Sequence, residues 1–170
     1  SSELFFDDVH VPADNLLGGI EGRGFPQLMQ RLPEERLIMA MSAVASMECA
    51  VAETAAYVAE RKMFGQRLGD FQNTRFKLAE CKTKAMIGRA FLDYGIDAFI
   101  DGTFDSTQGA MIKLWTTVRS CEVMDECLQL HGGYGYMTEY NITRRYADSR
   151  LGRIAGGTDE IMKELIGRSL

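Results

Sequence analysis

The sequence predicts an all-α fold, an antiparallel four-helix-bundle-like domain preceded by a short extended segment left from a β-domain. Three observations carry this. Only three prolines occur in 170 residues, so long helices are permitted. Long stretches are rich in Ala, Met, Leu and Glu, the stronger helix formers. The connections between them are short and marked by glycine, which makes consecutive helices antiparallel neighbours.

The elements follow in order. Residues 3–18, ELFFDDVHVPADNLLG, read as extended: Leu4, Phe5, Phe6, Val9 and Val11 are β-prone, and Pro12 and Asn15 close the stretch. One short strand cannot form a sheet by itself, so residues 1–20 are expected to be the tail of a missing β-domain and 21–170 the helical domain. Gly18, Gly19, Gly22 and Gly24 mark a loop. A short helix is expected from Phe25 to Leu32, with Phe25, Leu28, Met29 and Leu32 on one face. Pro33 suits the first turn of a second helix, which runs to about Lys62. Its small residues Ala40, Ala43, Ala45, Ala50 and Ala52 permit close helix approach.

Phe64 to Gly69 read as a turn. A third helix follows from about Phe71 to Ile100, with Phe76, Ala79, Thr83, Met86, Ala90 and Tyr94 near helical spacing. Asp101 and Gly102 break it. A fourth helix covers Ser106 to Leu130 and carries the only tryptophan, Trp115. His131-Gly132-Gly133-Tyr134-Gly135 is a sharp break. A fifth helix spans about Ile142 to Arg150, and Thr158 caps a last one to about Arg168.

Composition bounds the function classes. Apolar residues make up 46 % and charged residues 25 %, ordinary globular values. Net charge is −5, with both signs spread along the chain, so nothing suggests nucleic-acid binding. No apolar run reaches the length expected of a bilayer span. Cys49, Cys81, Cys121 and Cys127 form no C-x-x-C pair and read as reduced thiols in helices, which implies a reducing compartment. The start at Ser1 and Ser2, without an initiator Met, reads as an excision boundary, and a lost targeting segment is compatible with it. His10 and His131 lie far apart in unlike settings, so no metal site is expected.

Four features exceed plain bundle sequence. Glu34-Glu35-Arg36 opens the second helix; acidic residues there complement the helix dipole, or do chemistry. Arg61-Lys62-Met63-Phe64-Gly65, followed by Phe71-Gln72, is either a basic helix end with a glycine stop or a site for an anionic cofactor. Gln129-Leu130-His131-Gly132-Gly133-Tyr134-Gly135-Tyr136 holds more glycine than a helix stop needs, and glycine lets backbone approach a ligand. Gly156-Gly157-Thr158-Asp159-Glu160 is an N-cap, or a set of backbone N–H groups aimed at a ligand. His131, with no paired nucleophile or carboxylate, reads as structural rather than as a base.

Taken together and in order, LFFDDVHVPADNLLG, ERL, ERKMFGQRLGDFQ, QLHGGYGY and GGTDEI resemble successive motifs of the acyl-CoA dehydrogenase family. The match covers nearly the whole chain. Each motif alone is weak; five in register are specific. The resemblance implies the C-terminal domain of a three-domain enzyme with FAD as cofactor and an acyl-CoA as substrate. It also implies electron-transfer flavoprotein as acceptor, and a homo-oligomer, dimer or tetramer. The implied reaction is α,β-dehydrogenation to the trans-2-enoyl thioester: a base takes the Cα proton while a hydride passes from Cβ to flavin N5.

Many members carry the base just before the Gly-Thr of the last loop, where this chain has Gly156. A minority, resembling the isovaleryl and long-chain enzymes, carry it directly before an arginine on the second helix. That residue is Glu35, followed by Arg36. The resemblance further implies that Arg36, Gly156 and Gly157 contact substrate, the Gly156 N–H helping to hold the thioester oxygen. It implies FAD contacts for Arg61, Met63, Phe64, Phe71, Gln72, Gln129, His131, Gly132, Gly133, Thr158 and Glu160. Of these, Arg61 to Phe64 reach the cofactor of a neighbouring subunit. An acyl-CoA oxidase or flavin monooxygenase of the same fold is the nearest alternative, and a non-catalytic helical assembly module the alternative of another class. The 170 residues alone are expected to be inactive. The implied compartment is the cytoplasm for a bacterial source and the mitochondrial matrix for a eukaryotic one.

Overall fold

The computed structural model describes residues 2–170. Five helices dominate it: α1 (Gly24–Glu60), α2 (Gln72–Ile100), α3 (Ser106–His131), α4 (Asn141–Gly152) and α5 (Asp159–Gly167). A two-stranded hairpin, β1 (Lys62–Met63) with β2 (Gln66–Arg67), joins α1 to α2. The chain divides into two compact units, the second being Leu32–Leu170.

In the first unit residues 2–18 form no strand, as expected of a lone extended segment; Ala13–Asn15 make a 3-10 turn instead. Leu4, Phe5 and Phe6 are exposed. The Gln27 side-chain amide donates to the Leu17 carbonyl at 3.2 Å.

Two expectations are corrected. The short helix at Phe25 and the helix led by Pro33 are one element, with Pro33 inside α1. The φ that proline imposes is helical, so its cost is local, about 3 kcal/mol for a lost hydrogen bond and crowding. The apolar face that follows, Leu37, Ala40, Val44, Met47 and Val51, is buried in the core and outweighs that cost. The second correction concerns length: by length and composition alone, α1 is long and apolar enough to cross a membrane. Here that face packs on α2 and α3.

The antiparallel order is set by side-chain pairing. On α2 and α3, Lys77 meets Glu126 at 2.6 Å and Lys84 meets Glu122 at 2.8 Å, so one helix ascends as the other descends. On α1 and α2, Leu37 lies against Gly95 whereas Met47 lies against Gly88. Missing Cβ atoms let these helices come close; of the small residues of α1, Ala40, Ala43 and Ala50 are buried, whereas Ala45 and Ala52 face solvent. α3 is the central element, packed against α2, α4 and α5. It is anchored by a reciprocal capping box, Gln108 N–H to Asp105 at 2.7 Å and Asp105 N–H to Gln108 at 2.8 Å.

The expected turn at Phe64 to Gly69 is the hairpin. Phe64 and Gly65 both adopt positive φ, 50° and 81°, the two-residue turn whose twist suits paired strands. The period noted on the third helix faces outward: Phe76, Ala79, Thr83, Met86, Ala90 and Tyr94 lie on the solvent side or at its margin, while Cys81, Ala85, Gly88, Leu92 and Gly95 face the core.

Candidate active site

Two separate groups of residues emerge, at opposite ends of α1. Glu35 and Glu60 are 25 residues apart on one helix, roughly 37 Å at 1.5 Å per residue.

The first group surrounds the loop between α4 and α5. Gly156 and Gly157 hold φ of 64° and 104°, backbone that L side chains rarely adopt. Each carbonyl is clamped by a cation from a different helix. Arg36 Nε, on α1, donates to the Gly156 oxygen at 3.2 Å, and its Nη1 donates to Ser106 Oγ at 3.4 Å. Lys113 Nζ, on α3, donates to the Gly157 oxygen at 2.6 Å. Both cations are buried, Lys113 completely. Burial pushes the pKa of each below its ordinary value; Glu35 partly offsets this for Arg36, and Asp159 for Lys113. Among the described residues, no backbone acceptor takes the N–H of Gly156 or Gly157.

Glu35 precedes the buried Arg36 in the chain and is itself exposed. A Cβ placed on Gly156 would stand 2.8 Å from Met39 Sδ, so the space a side chain would enter there is taken from α1. Thr158 caps α5 by accepting from the Ile161 N–H, and Glu160 sits in the first turn. The Glu160 carboxyl is held below its usual range by a backbone N–H at that helix start and by the Thr158 hydroxyl. Asp159 is bound by Arg153 at 2.7 Å. Met39 also lines a largely apolar cleft of about 450 Å³ between α1, α3 and α4, with Ile38, Ala43, Leu151 and Ala155.

The second group lines a cleft of about 670 Å³ that includes Arg61, Met63, Gln129, His131, Gly132 and Gly133. Phe71 caps the start of α2, half-buried, and Gln72 follows it, exposed. Phe64 projects from the hairpin tip, 90 % exposed. The His131 ring is buried, as its structural reading implied. Its Nδ1 lies 2.8 Å from the Cys127 carbonyl, which only accepts, so Nδ1 carries the proton. The ring stacks on Tyr57 at 4.2 Å. The Arg61 guanidinium sits over Tyr134, 5.2 Å from the ring centre, a cation–π contact that holds it beside the glycine turn.

Sequence reasoning missed Lys113, Ser106 and the Arg153–Asp159 pair. Only Lys113 left a signal: a lone charge inside the apolar run Met111-Ile112-Lys113-Leu114-Trp115.

A helical bundle carries two candidate sites, the glycine loop clamped by Arg36 and Lys113 and the cleft that includes Arg61. The family model for the acyl-CoA dehydrogenase C-terminal domain matches residues 22–170, and the chain belongs to that family. Over all 170 residues it is 46 % identical to the mitochondrial long-chain specific acyl-CoA dehydrogenase of Mus musculus, covering 39 % of that protein. It is 36 % identical to the mitochondrial isovaleryl-CoA dehydrogenase of Solanum tuberosum over 99 % of this chain and 40 % of that one. The crystal structure of an acyl-CoA dehydrogenase from Geobacillus kaustophilus superposes with a TM-score of 0.92 at 45 % identity. That match covers 97 % of this chain and 43 % of the other. The chain thus spans about two fifths of the length of these relatives.

Proposed function

We propose that this chain is the C-terminal domain of an FAD-dependent acyl-CoA dehydrogenase in which Glu35 is the base. In this reading residues 1–20 end a preceding β-domain and 21–170 form the helical domain. The observation that carries it is the tie from Arg36 to the Gly156 carbonyl, which brings the residue beside Glu35 onto the glycine loop. Met39 occupies the direction in which a residue-156 side chain would point, which supports a base on α1 rather than on the loop.

The residues present fit the cofactor. Two positive-φ glycines leave N–H groups without backbone acceptors, and the second cleft offers a guanidinium, an amide and a glycine turn. Arg61 would meet the pyrophosphate; Met63, Phe64, Phe71, Gln72, Gln129, His131, Gly132, Gly133, Thr158 and Glu160 complete the contacts. Bound FAD would supply the hydride acceptor. The chain's own residues do the acid–base work. Glu35 removes the Cα proton of the acyl thioester. The pair left behind moves onto the thioester oxygen, which the Gly156 N–H holds as charge grows. Acyl chain and cofactor would exclude water from around Glu35. Arg36 and Gly157 border the substrate.

The two groups of cofactor residues stand too far apart along α1 to serve a single flavin ring, which supports a homo-oligomer in which Arg61 to Phe64 reach a neighbour's FAD. The exposed stripe Phe76, Met86 and Tyr94 on α2 is an apolar face suited to a second copy. Electron-transfer flavoprotein is the proposed acceptor, and the compartment follows the source, mitochondrial matrix or bacterial cytoplasm.

The test is Glu35→Gln in the full-length protein. Expected are retained FAD and acyl-CoA binding and loss of flavin bleaching by acyl-CoA; ordinary bleaching moves the base elsewhere. The isolated 170 residues are expected to be colourless and inactive, and a yellow, active preparation contradicts that part.

A further inference from the structure

We propose that Lys113 is a positioning and electrostatic residue for the reaction: by holding the Gly157 carbonyl from inside the bundle, it aims the loop's free N–H groups at the thioester oxygen and balances the charge that grows there. This rests on the reading of Glu35 as base.

Lys113 has no exposed surface, and it donates to the Gly157 carbonyl at 2.6 Å. Among the described residues no carboxylate lies within ion-pair distance of it. The nearest candidate, Asp159, has its Oδ2 held by Arg153 Nε and Nη2, each at 2.7 Å, while its buried Oδ1 has no hydrogen-bond partner among the described residues and lies beyond ion-pair distance of Lys113. Burying an ammonium without a counter-ion costs several kcal/mol. Tying α3 to a loop carbonyl needs no charge, because an amide or hydroxyl donates as well. The positive charge itself therefore wants an explanation.

The surrounding charges supply one. Arg36, Lys113 and Arg153 face Glu35, Asp159 and Glu160 around this loop, three cations against three carboxylates. In the proposed step the Cα–H bond breaks, the proton goes to the Glu35 carboxylate and the electron pair ends on the thioester oxygen. Total charge is unchanged, but one negative charge leaves Glu35 and arrives beside Gly156 and Gly157. A cation bonded to the Gly157 carbonyl gains from that move, and a buried one gains more than a solvated one. The same bond fixes the peptide whose carbonyl points inward. The loop then needs little reorganisation as charge develops.

The test uses the full-length holoprotein and Lys113→Met, with Lys113→Gln as the variant that keeps a donor but no charge. The probe is a 3-thia-acyl-CoA. Sulfur at position 3 cannot give up a hydride, so the bound thioester stops at the enolate. Enolate formation is read by its long-wavelength charge-transfer absorbance with oxidised flavin, titrated against pH. Expected for Lys113→Met is a midpoint raised by about one pH unit or more and flavin reduction per bound flavin slowed at least about tenfold, with KM changed far less. Deuterium uptake of the segment 154–158 should rise. Lys113→Gln should recover the uptake but not the midpoint. An unchanged midpoint per bound flavin in both variants overturns the proposal, even if Tm and flavin content fall, because a purely structural lysine gives that result. If Glu35→Gln still forms the enolate normally, the reading of the base fails while the Lys113 comparison still stands on its own midpoint.

Discussion

Arg36 Nε donates to the Gly156 carbonyl at 3.2 Å while its Nη1 reaches Ser106 Oγ at 3.4 Å, so one buried guanidinium joins α1, the start of α3 and the last loop. The fork geometry matters here, since two acceptors in different directions need two separate donors on a rigid plane. Arg36→Lys keeps the charge and loses one of the two bonds. We expect it to fold, with Tm lowered, and to reduce flavin at least about tenfold more slowly per bound flavin in the full-length protein. Arg36→Met leaves the Gly156 carbonyl without its donor, while the exposed Ser106 hydroxyl turns to water, and should cost about 1–3 kcal/mol in denaturant unfolding. A fully stable, fully active Arg36→Met would show that the guanidinium does not hold the loop.

Gly156 resists any side chain for two independent reasons, its φ of 64° and the Met39 sulfur 2.8 Å from a would-be Cβ. Gly156→Ala should therefore destabilise by about 1–3 kcal/mol. The contact part is separable. In a Met39→Ala background the same substitution should cost less, and the difference is the coupling between the two positions. Equal costs in both backgrounds would assign the whole effect to backbone conformation. A carboxylate installed by Gly156→Glu in a Glu35→Gln background should not restore flavin reduction unless Met39 is also shortened.

Much of the fold is legible in the chain, and the exceptions share a cause. The bounds of α2 and α3 follow within a residue or two because glycine, aspartate and helix formers agree locally at Asp101, Gly102 and Asp105. The start of α1 is ambiguous because Pro33 is equally at home in a first turn and, at a cost, in an interior. The period on α2 is visible, but not which way it faces: Phe76, Met86 and Tyr94 are as apolar as a core and point outward. Glu35 and Gly156 are marked by motif. Lys113 belongs to no motif, and its one signal, the apolar run around it, is weak because a lysine in a helix reads as surface until its neighbours are known. Its partner Gly157 lies 44 residues along the chain, and closeness in space at that separation is what a local pattern cannot carry.

The pair Glu48 and Arg89 fastens α1 to α2 through two parallel bonds, Nε to Oε1 at 3.0 Å and Nη2 to Oε2 at 2.7 Å. The hydrogen bond from Arg89 holds the Glu48 carboxyl below its ordinary value. A depressed folded pKa stabilises above the unfolded carboxylate value of about 4.3 and loses that stabilisation as pH falls through the folded value. Both side chains are well exposed to solvent, so the contribution is small, about 0.5–1 kcal/mol at neutral pH after screening. Arg89→Met should therefore lower stability at pH 7 and be close to neutral in strongly acidic solution. It should also narrow the gap to wild type in high salt. A cost independent of pH and salt would mean that packing of the arginine stem, not the ion pair, joins the helices.

Gly95 tests the closeness of the bundle itself. It faces α1 and α3 at once: a Cβ there would collide with Ile112 Cδ1 and come within 3.1 Å of Leu37 Cδ1. Its φ is not in the left-handed region, so backbone strain plays no part. Alanine raises intrinsic helix stability by about 0.5–1 kcal/mol over glycine. Crowding in a filled core works against this at about 1–3 kcal/mol, because Ile112 is fully buried and must leave its rotamer or push α3 away. Steric crowding outweighs helix propensity, so Gly95→Ala should lower Tm. The sign is open to control: Ile112→Val removes the methyl that collides. In that background Gly95→Ala should turn neutral or stabilising as the helix propensity of alanine comes through. Gly102, in open space at the end of α2, provides the contrast, since its φ of 70° makes alanine costly there with no neighbour to blame. If Gly95→Ala were stabilising in the native background, α1 and α3 would have to be free to separate, and the short distances between these three helices would not be needed to hold Glu35, Arg36 and Lys113 in register with the loop.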